Sequence, residues 1–109
     1  MSYDIELVDE KDNKFELPYP IEAGGTYQVG GTQETELNVT YNHCKHFNFR
    51  DLENKKAKDT IKDFEEAIKK LKDDVNPDYW APTEGNAKTA IKILYGFAKL
   101  YPEGTWKVY

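Results

Sequence analysis

Between residues 42 and 61 the spacing of apolar residues changes from two to about 3.6, and that change restricts the fold more than any other feature of the chain. Tyr3, Ile5 and Leu7 alternate with Asp4 and Glu6, the pattern of a half-buried strand. The polar residues 9–13 read as a turn before Phe15 and Leu17 resume the alternation, which predicts a hairpin. Pro18 and Pro20 exclude a central strand just beyond, because neither donates a ladder hydrogen bond. Gly24-Gly25 and Gly30-Gly31 bracket a short predicted strand at 26–29. Residues 34–42 form the strongest strand signal, with Leu37, Val39 and Tyr41 expected to face the core. Glu36, Asn38, Thr40 and Asn42 are expected on the opposite face.

Ile61, Phe64, Ile68, Leu71 and Val75 then fall on one stripe of an amphipathic helix that the segment before Pro77 should end. A second helix is predicted from Thr83, a suitable N-cap, to Tyr101, with Ala87, Ala90, Ile91, Leu94, Ala98 and Tyr101 on its inner stripe. Pro102-Glu103-Gly104 closes it, and residues 105–109 are expected to return as an edge strand. Strands followed by helices without alternation indicate an α+β fold. The prediction is one domain over residues 1–109, a small antiparallel sheet from the N-terminal half packed against two C-terminal helices.

Composition limits what such a domain does. The net charge of −5 is concentrated in residues 1–40, where nine acids face only Lys11 and Lys14. Nucleic-acid binding needs clustered cations to displace counterions from phosphates. Here the single arginine is Arg50 and the densest basic group is Lys55, Lys56 and Lys58, so direct nucleic-acid binding is not expected. An acidic sheet half either keeps the protein dispersed or steers it toward a basic protein surface. No apolar run approaches the ~18 residues of a membrane span. The single cysteine and the absence of a secretory pattern at Met1-Ser2-Tyr3-Asp4 lead to the expectation of a cytoplasmic protein.

Three clusters invite chemistry. His43, Cys44 and His46 carry the ligand atoms that zinc prefers. A continuing strand would send His43 to one face and Cys44 with His46 to the other, and no second cysteine completes a site. The plainer reading makes Cys44 a small half-buried residue and the histidines surface or capping groups. A Cys–His nucleophile would need a third group and an oxyanion hole, for which no motif exists, so no catalytic residue is assigned. Tyr79 and Trp80, just before the second helix, are candidate binding anchors; the competing reading is that one of them pins the loop. Thr83, Gly85 and Asn86 offer helix-start N–H groups to an anion, although Glu84 repels one. The row Asn38, Thr40 and Asn42, with Tyr41, Phe47 and Phe49 nearby, is the third candidate, an amide-floored ligand groove. No motif calls for a cofactor.

The segments Glu36-Leu37-Asn38-Val39-Thr40-Tyr41-Asn42 and Tyr79-Trp80 through Ala87 resemble a family of small bacteriophage and prophage proteins. The opening Ser2-Tyr3-Asp4-Ile5, the Gly25-Thr26-Tyr27 turn and the ending Pro102-Glu103-Gly104-Thr105-Trp106 extend the resemblance over most of the chain. The family has no established function, so the resemblance implies a bacterial host setting and supplies no catalytic residues. His43, Cys44 and His46 replace what look like aromatic or small residues in the related chains, which argues against metal binding as a shared role.

These readings lead to one expectation: a non-enzymatic phage or mobile-element accessory protein that binds a basic protein partner, such as a host-defence nuclease that it inhibits. Asn38, Thr40, Tyr41, Asn42, Tyr79 and Trp80 are its candidate contacts. The alternatives are a nucleotide or signal-molecule binder and a metal-binding protein through His43, Cys44 and His46. Homo-oligomerisation is compatible with each of them.

Overall fold

A computed structural model describes residues 1–21, 32–78 and 81–109 of the chain. The strand expected at 26–29 and the Tyr79-Trp80 pair lie outside the described residues. The strands are β1 (Ser2–Val8), β2 (Glu16–Ile21), β3 (Thr32–Glu34), β4 (Glu36–Thr40) and β5 (Thr105–Val108). The helices are α1 (Ile61–Lys70) and α2 (Glu84–Leu100). Three short 3₁₀ turns, Tyr41–His43, Phe49–Leu52 and Ala57–Asp59, link the sheet half to the helical half. The α+β architecture is as the change of period requires.

β1 is the centre of a three-stranded antiparallel sheet in the order β4-β1-β5, with Ile5 opposite both Leu37 and Val108. The apolar face carries Ile5, Leu7, Leu37, Val39, Trp106 and Val108, all buried against α1, α2 and the 3₁₀ turns. α2 supplies Ala90, Ile91, Leu94 and Ala98 to that core, and the two alanines let it lie close to the sheet. The Trp106 indole is fully buried, donates to Thr60 Oγ1 at 2.9 Å and meets Phe64 edge-on at 5.8 Å. Truncating a ring packed in this way costs roughly 3–5 kcal/mol.

The expected hairpin begins but does not propagate. Asp9 Oδ1 accepts from the amides of Lys11 and Asn13 and so fixes the turn, yet only one bridge, Val8 with Lys14, follows. β2 diverges instead to pair with β3 in a separate two-stranded sheet, where neither proline interrupts a central ladder. The cause is Thr35, which splits the predicted 34–42 strand. Its amide donates to Phe15 O at 2.9 Å, while its carbonyl accepts from Leu7 N at 2.9 Å. Its hydroxyl then donates to Leu7 O at 2.6 Å, in the place a ladder amide would occupy, and accepts from Phe15 N at 3.1 Å.

α1 is shorter than its apolar stripe predicts, and Val75 is 62% exposed rather than in the core. The chain turns extended at Leu71 because the start of α2 captures the following residues. Lys88 Nζ donates to Leu71 O at 3.2 Å, and Asp74 Oδ1 accepts from Gly85 N at 2.9 Å. Thr83 is the N-cap of α2, its hydroxyl accepting from Asn86 N at 3.1 Å.

β5 forms the expected edge strand, and its outer side is closed. Asn54 N donates to Trp106 O and Lys55 O accepts from Trp106 N, each at 2.9 Å. Glu53 Oε2 then accepts from Val108 N, and Arg50 Nη1 donates to Val108 O at 2.8 Å. The chain's only arginine thus completes a sheet edge that would otherwise template pairing with another chain.

Candidate functional site

The outer face of the three-stranded sheet, opposite the core, gathers the acidic residues of the N-terminal half. Side chains alternate along a strand, so the buried Ile5 and Leu7 put Ser2, Asp4 and Glu6 on the other side. The register places Asp4 beside Asn38 and Glu6 beside both Glu36 and Lys107. The bonds Leu7 N to Thr35 O and Tyr41 N to Met1 O fix which pairs exchange backbone hydrogen bonds. Glu6 and Glu36 fall between those pairs, in the spacing that brings opposed side chains closest.

Two carboxylates directly opposite each other repel. Lys14 offsets part of that repulsion, with its Nζ 2.7 Å from Glu36 Oε2 and 3.8 Å from Glu34 Oε1. The hydrogen bond to Glu36 raises the Lys14 pKa. The Glu6 carboxyl is nonetheless pushed above its ordinary value, first by partial burial, against the Lys14 attraction, and then by Glu36, Asp4 and Glu34. Lys107 gives little relief, because its ammonium reaches Asn54 Oδ1 at 2.9 Å.

Asn38 belongs to this face. Its Nδ2 donates to Asp4 Oδ1 at 2.8 Å and to Ser2 Oγ at 2.9 Å. The row expected to continue through Thr40 and Asn42 is broken, since β4 ends at Thr40 and the chain enters a 3₁₀ turn. Thr40 is buried, and its hydroxyl accepts from Asn42 N at 3.3 Å to cap that turn, while Asn42 is exposed. Tyr41 leaves the core for the same reason. It is 42% exposed and packs on Tyr3, with ring centroids 4.6 Å apart. The amide-floored groove therefore does not form: Phe47 packs on the fully buried Phe49 at 5.0 Å, and Tyr41 pairs with Tyr3 instead.

The His43–His46 segment is a turn rather than a strand. Among the described residues no three His, Cys, Asp or Glu side chains come together as a metal-holding group. His43 is fully buried, which corrects its expected surface or capping role, and burial with the neighbouring His46 charge lowers its pKa to about 4. Cys44 is half-buried against the core, and burial raises its thiol pKa, the opposite of nucleophile activation. His46 Nε2 lies 2.9 Å from Pro82 O, and a carbonyl partner requires that nitrogen to be the donor. The helix-start anion reading also fails, because the Gly85 and Asn86 amides are taken by Asp74 and Thr83.

One concavity of about 380 Å³ lies between α1 and the 46–55 segment, with Phe47, Leu52, Ala67 and Leu71 among its apolar lining. Asp51, Asp63 and Glu66 outnumber Lys55 and Lys70 among its charged residues. No helix among the described residues is long and apolar enough to cross a membrane.

No family model, curated protein or solved structure matches the chain. The candidate site therefore rests on the chemistry of the sheet face alone. Sequence reasoning saw the acidic bias of the first forty residues and the alternation of Asp4 and Glu6. It missed the opposition of Glu6 and Glu36 and the place of Tyr109 beside Asp4, because both follow from strand register.

Proposed function

We propose that this protein is a non-enzymatic binding protein that docks a basic protein surface on the outer face of its three-stranded sheet. The supporting observation is the Glu6–Glu36 pair, two carboxylates directly opposite each other, where charge on Glu6 carries a cost set first by partial burial and, after the Lys14 attraction, by Glu36. An incoming cation relieves that cost, so the same repulsion that disfavours the free face favours the occupied one. Asp4 and Glu34 extend the negative field on either side. A nuclease presents a basic surface because it must hold phosphates. Together with the resemblance to phage and prophage proteins, this points to a host-defence nuclease in the bacterial cytosol as the target, with occlusion as the mechanism.

The test is affinity capture from bacterial lysate with the wild type and with a variant carrying Asp4→Asn, Glu6→Gln and Glu36→Gln. The expected result is a basic protein retained by the wild type, lost from the variant and released as salt rises. Capture that ignores both the substitutions and the salt removes the proposal.

A second reading rests on the groove between α1 and the 46–55 segment, whose volume of about 380 Å³ lies within the roughly 300–1,000 Å³ of small-ligand sites. Its excess of carboxylates favours a neutral or cationic ligand over a nucleotide. A rise in melting temperature with such compounds, and none with nucleotides, supports it through linkage. A flat response to every compound eliminates it.

A further inference from the structure

The outer sheet face holds an aromatic ring as well as negative charge. Asp4 N donates to Tyr109 O at 3.0 Å and Tyr109 N donates to Asp4 O at 2.9 Å. That reciprocal pair sets the two side chains on one face, a single strand spacing apart. Asp4 is exposed and Tyr109 is 67% exposed. On the other side of Asp4, Asn38 Nδ2 donates to the carboxylate at 2.8 Å and to Ser2 Oγ at 2.9 Å, which holds the carboxylate in a fixed orientation. The register thus makes a row across three strands: an open tyrosine ring, an oriented carboxylate and the amide that orients it.

We propose that this row receives an arginine side chain of the basic partner, the guanidinium stacked on Tyr109 with its N–H fork on the Asp4 carboxylate. The inference rests on the docking reading above and adds the identity of the contacting group. Arginine fits better than lysine for two reasons. A planar guanidinium lies flat on an aromatic face while its edge still meets a carboxylate, and it sheds water more readily than an ammonium. A fixed carboxylate also rewards two parallel N–H bonds, which a point charge does not make. The next row, Glu6 opposite Glu36 and Lys107, offers charge without an aromatic ring.

Hexa-arginine and hexa-lysine peptides of equal charge, titrated calorimetrically into the full chain, test this. The wild type is expected to bind the arginine peptide about tenfold more tightly. Tyr109→Leu, which keeps apolar area and removes the π face, should lower the ratio to the part that the Asp4 carboxylate supplies, and Tyr109→Trp should restore or raise the preference. Asp4→Asn should weaken both peptides, arginine more. Unaltered melting curves establish that the variants fold. Equal wild-type affinity for the two peptides overturns the arginine inference and leaves the docking reading standing. Binding of neither peptide overturns both.

Discussion

Thr35 serves both backbone groups of Leu7: its carbonyl accepts from Leu7 N at 2.9 Å, and its hydroxyl donates to Leu7 O at 2.6 Å. In a regular antiparallel pair the second bond would come from the Thr35 amide. That amide has turned to Phe15 O, and the side chain fills the gap. One fully buried hydroxyl therefore lets a continuous stretch of strand-forming residues belong to two sheets.

Thr35→Val keeps the shape and removes the hydroxyl, leaving the Leu7 carbonyl and the Phe15 amide each short of a bond in the interior. The expected cost is roughly 2–4 kcal/mol, measured by urea denaturation. Thr35→Ser should retain most of the stability. A valine variant as stable as the wild type would show that the ladder repairs itself by bringing the Thr35 amide back to Leu7.

The same residue marks where the sequence stops being legible. Residues 34–42 alternate without interruption and threonine favours strands, so nothing local signals a break; the cause is a tertiary exchange of hydrogen bonds. The end of α1 is similar. Leu71 and Val75 continue the apolar stripe, but Lys88 and Gly85, fifteen or so residues later, capture the chain first. By contrast, the start of α2 at Thr83 and the edge strand at 105–108 were readable, because capping and proline–glycine punctuation act within a few residues. The acidic face was visible as composition and invisible as geometry.

Two glycines of α2 should respond oppositely to alanine. A Cβ on Gly85 would lie 2.5 Å from Val75 N and 2.6 Å from Asp74 C, against backbone that has no room to yield. Gly85→Ala should therefore destabilise by roughly 1–3 kcal/mol. A Cβ on Gly96 meets nothing within 4 Å. Gly96→Ala should stabilise by roughly 0.5–1 kcal/mol, since glycine in a helix carries that penalty. Chemical denaturation of the two variants decides both signs, and a loss of stability at Gly96 would mean that something covers that surface.

His43 predicts an acid-sensitive fold. Burial lowers its pKa to about 4, from an ordinary 6.5, so on acidification the unfolded chain takes up the proton first. Its contribution is complete above pH 6.5 and is lost as pH falls toward 4, up to about 3 kcal/mol across that window. His43→Gln should flatten the stability profile between those limits. Imidazole NMR shifts in the native protein should report a midpoint near 4, and a midpoint near 6.5 would contradict the burial argument.

Glu6 separates stability from function. Its raised pKa, set first by partial burial, eased by the Lys14 attraction and raised further by Glu36, Asp4 and Glu34, means that its charge is held against local resistance. Near neutral pH, Glu6→Gln removes the repulsion across the β1–β4 pair and should stabilise the fold by roughly 0.2–1 kcal/mol. If the outer face exists for a cationic partner, the same change should weaken that complex and reduce its salt dependence. A residue whose neutralisation improves folding and impairs binding is expected where selection has kept charge for contact. Paired measurements of melting temperature and partner affinity on Glu6→Gln test this. A gain in stability with affinity unchanged would reduce the acidic face to a surface feature of the free protein.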